Sequence, residues 1–392
     1  MTNNERIRQD RLREQMKAAG IDALVCRLPE NVMYLTDYWP HHGFSVVVFP
    51  REGEPLLYAP EVEEPYARKA WAEVSTFGWG LLKDGDLYEN YRNWLSSVIG
   101  RLGLKGATVG YEKTFEIVGT TYRSSEPVVP AYPWFDLVEG LFADSHLVDA
   151  AGVIQTSRAI NGEYEIAKLR IAAEIAEMGM TEFVKKVEPG MTEIDVSAMI
   201  EYTIRTAGSG HKGAKLIRAW AEVAAGPVGS TLATLVIPST DYVIREGDLV
   251  MAELATVVDG YWSDLTYMAV AGEPNARQRE VHNQVLAAQQ AAARAVKAGA
   301  PASAPDEAAR KVLEDAGLGE YFVHITGHSL GYRYHEFVPV LLPGAGGKLE
   351  AGMVTSVEPG VYIPGFGGIR IEDNVVVGKD GPDFLSTPRK PW

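Results

Sequence analysis

The chain has 392 residues, 46% of them hydrophobic and 23% charged, with a formal net charge of −15. That length predicts two domains with a core that needs no covalent staples, and the composition is that of a globular protein. The acidity argues against nucleic acid and anionic membranes as partners; the single cysteine, Cys26, excludes an intrachain disulfide, and a reducing cytoplasm is the expected setting.

Residues 5–20 place Ile7, Leu12 and Met16 among charges, which predicts a surface helix ending at Gly20. The start, MTNNERIRQDRLREQ, has no apolar signal core. No window of the chain reaches the roughly 18 apolar residues of a membrane span. "DALVCRL", "FSVVVFP" and "PLLYAP" read as strands, and Cys26 reads as a small buried residue within the first. Helices near 61–72 and 86–102 alternate with short strands such as "ATVGYE". An α/β N-terminal domain over 1–154 follows. Its His41–His42 pair reads as a loop feature rather than a metal site.

A second domain, α+β, is expected over 155–392. "SRAINGEYEIAKLRIAAEIAEMGMTEFVKKV" predicts a long amphipathic helix, and "EPGMTEIDVSAMIEYTIRTAG" a turn and a second one. Strands follow at about 214–224, 249–258 and 261–271. "RQREVHNQVLAAQQAAARAVKAG" and "SAPDEAARKVLEDAG" predict two more helices, and the last ~75 residues read as strands and glycine-rich turns. Two helices, a sheet, two helices and a sheet outline a duplicated α/β unit.

"GDLVMAELATVVDGYWSDLTYMAV" carries the strongest local signal. Asp259–Gly260 between two apolar runs predicts a two-residue hairpin. That turn pairs Val258 with Tyr261, Ala255 with Asp264 and Glu253 with Thr266. Glu253 and Asp264 then share a face within reach of a common ligand. Apolar flanks predict burial for both, and two buried carboxylates side by side need cations or shared protons. A surface Glu beside a turn-anchoring Asp is the plain alternative.

"YFVHITGHSLGYRYHEFVP" places His324, His328 and His335 close together, with Glu336 adjacent and glycines at 327 and 331 to bend the backbone. In "MVTSVEPGVYIPGFGGIRIEDNVVV", Glu358 ends an apolar strand before Pro359–Gly360, and Arg370 and Glu372 share a face. A salt-bridge ladder and a turn glutamate are the alternatives for those residues. Taken together, four carboxylates and at least one imidazole suit two divalent ions, Mn²⁺, Co²⁺ or Zn²⁺. Such ions activate water and polarise a carbonyl, which is hydrolytic chemistry.

These segments resemble the pita-bread metallopeptidases: proline dipeptidase (prolidase), aminopeptidase P, and their relatives creatinase and ectoine hydrolase. "VEPGVY" and "GIRIEDNVVV" match that family's pattern closely, and "DALVCRLPENVMYLTDY" is similar to the creatinase/prolidase N-domain. The resemblance implies a pita-bread catalytic domain over 155–392. It implies metal ligands at Glu253, Asp264, His328, Glu358 and Glu372. It also implies catalytic roles for His324, His335, Glu358 and Arg370, with Glu336 beside the substrate, and a homodimer. Two departures stand out. The family's first ligand is Asp, and the extra methylene of Glu253 moves its carboxylate by ~1.5 Å. The peptidases carry a histidine ahead of the hairpin, where this chain has "AAGPVGSTLATLVIPSTDYVIREGD", with Thr231 or Thr234 near that position. Tyr267 stands where they have arginine. Thr231, Thr234 and Tyr267 are therefore expected to line the substrate.

Three readings follow. The first is a dinuclear hydrolase of a small peptide-like substrate, with an Xaa-Pro dipeptide as default. The second is a metal-free C–N hydrolase of a guanidino or cyclic amidine compound, with Glu253 acting directly. The third is an inactive binding protein on the same fold. An oxygen or nitrogen donor at all five ligand positions favours the first.

Overall fold

The computed structural model describes residues 3–78, 86–114, 132–232 and 238–392, so Thr234 lies outside the described residues. It divides into two units, Met1–Arg158 and Ala159–Trp392; the sequence placed the boundary after 154. No helix among the described residues is long and apolar enough to cross a membrane.

The first unit runs α1 (Asn3–Ala18), β1 (Ala23–Cys26), α2 (Pro29–Thr36), β2 (Val46–Pro50), β3 (Leu56–Pro60), α3 (Glu64–Ala67), β4 (Glu73–Phe77), α4 (Leu87–Leu102), β5 (Thr108–Tyr111), α5 (Tyr132–Leu141), β6 (His146–Asp149) and α6 (Ala151–Arg158). Its six strands form one mixed sheet in the order β4-β3-β2-β1-β5-β6. Every residue of β1, β2 and β3 is buried, as continuous apolar runs require. Cys26 is free and buried. The helix expected near 61–72 is only a 3₁₀ turn followed by the single turn of α3, because Pro65 fits the first turn alone. The backbone N–H groups of His41 and His42 both donate to buried Glu63, which makes that pair a loop anchor.

The second unit opens with α7 (Glu163–Lys186) and α8 (Glu193–Gly208). The expected helix through "SRAINGEYEI" breaks before α7, where Gly162 is extended and its N–H donates to the Glu165 carboxylate. Then come β7 (Ile217–Ala225), α9 (Gly226–Leu232), β8 (Leu249–Val258) and β9 (Tyr261–Val270). The three strands form an antiparallel sheet. The β8–β9 turn places both Asp259 (φ 50) and Gly260 (φ 91) in the left-handed region, as a two-residue hairpin demands. Its register is the expected one, with Glu253 opposite Thr266 and Ala255 opposite Asp264. After α10 (Ala276–Ala295) and α11 (Ala304–Asp315) come β10 (Gly327–Ser329), β11 (Glu336–Leu341), β12 (Val354–Val357), β13 (Gly360–Ile363), β14 (Gly367–Arg370), β15 (Asp373–Val377) and β16 (Pro382–Phe384). Five of these form a sheet in the order β11-β10-β12-β15-β16, and β13 pairs with β14.

Alternation sorts the β8–β9 hairpin. Val250, Ala252, Leu254, Leu265, Tyr267 and Ala269 pack in one apolar cluster with Ile175, Met180 and Phe183 of α7 and Ile200 of α8. The opposite face presents Glu253, Asp264 and Thr266, with Met251 and Met268 beyond them in the second cluster, which includes α10 and β15. One side chain joins β9 to β15. The Asn374 side-chain oxygen accepts from Asp264 N–H (3.0 Å) and the Ser263 hydroxyl (2.9 Å), and its amide donates to the Asp264 carbonyl. Asn374→Ala leaves buried backbone groups of Asp264 unpaired. The expected cost is about 2–4 kcal/mol, read by calorimetry as a melting point lower by roughly 5–10 °C. A loss near zero would show the clamp to be dispensable.

Candidate metal centre

Four elements deliver the acidic groups to one place. Glu253 comes from the middle of β8 and Asp264 from β9. Glu358 follows the end of β12, fixed by its N–H on the Thr326 carbonyl (2.8 Å). Glu372 precedes β15 and donates its N–H to the Thr266 carbonyl (3.2 Å). His328 sits in β10. The preceding glycine lets β10 lie close to β12: a Cβ at Gly327 would fall 2.1 Å from the Ser356 carbonyl oxygen. The Ser356 hydroxyl then donates to Glu358 Oε1 (2.9 Å).

His328 gives its Nδ1 hydrogen to the Ser329 carbonyl (3.0 Å), which turns Nε2 toward the carboxylates. Nε2 lies 3.4 Å from Asp264 Oδ2 and 3.3 Å from Glu358 Oε1. Ligand atoms around a tetrahedral ion with bonds of about 2.1 Å stand about 3.4 Å apart. These separations fit ligands around an ion as well as direct His–carboxylate ion pairs. Asp264, His328 and His335 each offer a donor atom within 4.8 Å of the others, as do His328, Glu358 and Glu372, and Glu253, Asp264 and Glu372. Glu372 is fully buried, and its Oε1 has no hydrogen-bond donor. A buried bare carboxylate oxygen beside this donor set fits a divalent cation.

The Glu253 side is arranged differently. Arg370 Nη2 and the Thr266 hydroxyl (2.7 Å) both reach Glu253 Oε2. The hydroxyl oxygen of Tyr334, buried in the turn after β10, lies 2.6 Å from Glu253 Oε1 and 2.7 Å from Asp264 Oδ1 and has one hydrogen to give between them. Thr266 Oγ1 also lies 2.7 Å from Glu372 Oε2 and accepts from Arg370 Nε (3.0 Å). Arg370 Nη1 donates to the Tyr362 hydroxyl (2.8 Å), whose own hydrogen goes to His324 Nε2 (3.0 Å). His324 Nδ1 completes the chain on the Ile325 carbonyl (2.7 Å).

Burial, then the nearby Arg370 charge, pushes His324 down to about 4, so it is neutral and can accept from Tyr362. Burial acts the same way on His328, but the hydrogen bond to Asp264 and the charges of Glu358 and Asp264 outweigh it and raise it to about 9. Glu358 rises to about 7 through burial and the neighbouring carboxylates, against the pull of His328. Glu372 is raised well above the carboxylate range by burial, then by Asp264, Glu358 and Glu253.

Of the residues expected at the site, Glu253, Asp264, His328, Glu358, Glu372 and Arg370 meet here. The His335 ring lies 4.2 Å from that of His328, and His324 stands behind Tyr362. Glu336 begins β11, opposite Ser329, and is half-buried. Tyr267 is not brought to the cluster. It lies on the other face of β9, donates to Glu177 on α7 (3.0 Å) and is covered by the Arg389 guanidinium. Thr231 donates to the Pro227 carbonyl one turn back (2.6 Å), which satisfies its hydroxyl within α9. Tyr334, Tyr362, Thr266 and Asn374 were not anticipated. Only Thr266 carried a signal, as the residue opposite Glu253.

Comparison with known proteins agrees with this geometry. Residues 167–379 match the model of metallopeptidase family M24, and residues 8–160 match the creatinase/prolidase N-terminal domain. An uncharacterized peptidase of Staphylococcus aureus is 30% identical over 377 residues, 95% of this chain and 97% of the relative. The Xaa-Pro dipeptidase from Bacillus anthracis superposes with a TM-score of 0.81 at 27% identity, covering 99% of both chains. The prolidase from Pyrococcus horikoshii gives 0.78 at 28%, over 98% of this chain and 99% of that one. The chain belongs to metallopeptidase family M24, a prolidase-like hydrolase with a creatinase/prolidase N-terminal domain ahead of its pita-bread catalytic domain.

Proposed function

We propose that this hydrolase cleaves the amide bond of a small peptide-like substrate with the help of a bound divalent metal, and that an Xaa-Pro dipeptide is its substrate. The observation that carries the metal is the ion-sized spacing of His328 from Asp264 and Glu358, with a Glu372 carboxylate oxygen within 4.8 Å of donors of His328 and Glu358. The substrate class is supported by the prolidase and Xaa-Pro dipeptidase structures that the whole chain resembles. Asp264, His328, Glu358 and Glu372 would hold the ion, Mn²⁺ first and Co²⁺ or Zn²⁺ in its place. When bound, it polarises the scissile carbonyl and makes water a nucleophile at neutral pH.

The protein's own groups supply the rest. Glu358, raised toward neutrality, takes the proton of the attacking water and returns it to the leaving amine. His335, beside His328, donates to the developing oxyanion. Arg370 and Tyr362 fix the surroundings of Thr266 and His324. The reading in which Glu253 attacks directly is disfavoured, because Arg370, Thr266 and Tyr334 engage both of its oxygens.

Assay against a panel of Xaa-Pro dipeptides with Mn²⁺, alongside creatine and ectoine, tests this. Dipeptide turnover is expected, and Glu358→Gln is expected to lower kcat by about 10²–10⁴-fold. Turnover of creatine or ectoine alone would remove the peptidase reading.

A second test uses the protons that metal must displace. In metal-free protein the contribution of His328 is fully present below about 6.5 and is lost as pH rises through about 9. Glu358, also raised, adds stability below about 4.5 that is lost as pH rises through about 7. Both therefore weaken the chelated protein as pH increases. EDTA is expected to lower the melting temperature more at pH 9 than at pH 6.5. Calorimetric titration with Mn²⁺ should release protons, its affinity rising about tenfold per pH unit for each proton displaced. A pH-independent affinity with no proton release would rule out His328 as a ligand.

A further inference from the structure

Building on the metal-dependent reading above, we propose that this chain binds one divalent ion rather than two, and that the Tyr334 hydroxyl takes the place of the second. The ion is held by Asp264, His328, Glu358 and Glu372. Glu253 is not a ligand but an anchor for Tyr334 and Arg370.

The argument begins with the space between Glu253 and Asp264. A second ion shared by these carboxylates would sit about 2.0–2.2 Å from an oxygen of each. The Tyr334 hydroxyl already bridges them, 2.6 Å from Glu253 Oε1 and 2.7 Å from Asp264 Oδ1. Tyr334 cannot swing aside cheaply. It is 6% exposed, its ring packs 5.8 Å from that of Trp262, and the His335 ring meets it edge-on at 4.4 Å. Asp264 thus divides its oxygens, Oδ1 for Tyr334 and Oδ2 toward His328.

The other oxygen of Glu253 is equally committed. Arg370 Nη2 and the Thr266 hydroxyl both reach Oε2. Arg370 is held in place by its further bonds to Thr266 and Tyr362. Its guanidinium supplies at Glu253 the positive charge that a second ion would otherwise bring. With all groups ionised, the four carboxylates and Arg370 leave three negative charges. One divalent ion reduces that to one, and a second would make the site positive beside a buried guanidinium. On the His328 side the group facing Asp264 Oδ2 and Glu358 Oε1 is an imidazole rather than a guanidinium, and among the described residues Glu372 Oε1 has no donor. The ion belongs there.

The test is metal content. Protein saturated with Mn²⁺ and freed of excess by equilibrium dialysis is analysed by elemental mass spectrometry and EPR. Wild type is expected to hold one ion per chain, with the spectrum of an isolated Mn²⁺ rather than an exchange-coupled pair. Glu253→Gln should also hold one ion with unchanged affinity, whereas Asp264→Asn should bind at least about tenfold more weakly. Tyr334→Phe, which removes the bridging oxygen, should gain a second, weaker site. Two ions in the wild type, or an ion lost in Glu253→Gln, would overturn the proposal while leaving metal-dependent hydrolysis intact. A single ion in Tyr334→Phe would overturn the role given to Tyr334. No ion in the wild type would remove the metal-dependent reading itself.

Discussion

Three buried carboxylates and the half-buried Glu358 share one small space in this protein, and the catalytic unit is organised around making that tolerable. Each buried charge costs several kcal/mol unless it is paired and hydrogen-bonded. Like charges at short range raise one another's proton affinity, which is the state of Glu358 and Glu372. The response is asymmetric. Glu253 has the Arg370 guanidinium on one oxygen and the Tyr334 hydroxyl on the other, whereas Glu372 keeps a bare oxygen in the interior. One end of the cluster is satisfied from within the chain, and the other is left for a cation.

Holding that asymmetry requires rigid delivery. Each acid comes from or beside a different strand, so its direction follows from the pleat and not from a loop. The β8–β9 hairpin buries its other face against α7 and α8, so a one-residue slip would carry Glu253 and Asp264 into an apolar layer. Asn374 ties the Asp264 backbone to β15 just beyond Glu372. The absence of a side chain at Gly327 lets β10 approach β12, which brings His328 to Glu358. The chemistry and the core therefore depend on the same register.

How much of this was legible in the sequence follows from the range of each interaction. The Asp259–Gly260 turn fixes its own geometry, so the pairing of Glu253 with Thr266 could be read directly. Alternation placed Arg370 and Glu372 on one face. The helix expected near 61–72 was lost to Pro65, and the one expected to run through Gly162 was divided there. Tyr267 shows a sharper limit. Its parity in β9 puts it on the face opposite Thr266, against α7, away from the acidic cluster where resemblance alone would group it. Tyr334 and Tyr362 gave no warning, because a tyrosine beside a histidine or glycine has no period. Their roles arise from contacts 81 residues apart for Tyr334 and Glu253, and from a chain through Arg370 for Tyr362. The α/β unit followed by an α+β unit was readable because it rests on local pattern alone.

Thr266 shows how finely the hydrogens are apportioned. Its hydroxyl lies 2.7 Å from both Glu253 Oε2 and Glu372 Oε2 but has one hydrogen to give. Arg370 Nε occupies a lone pair of Thr266 while Arg370 Nη2 serves Glu253 Oε2. Glu253 is thus supplied whether or not Thr266 turns toward it, and Glu372 is not. The lower-energy arrangement gives the Thr266 hydrogen to Glu372 Oε2 and leaves Oε1 without a donor. An oxygen so placed has two ways to be satisfied, a proton or a cation. Burial and the neighbouring carboxylates push Glu372 toward the proton, and a bound ion would exchange one for the other.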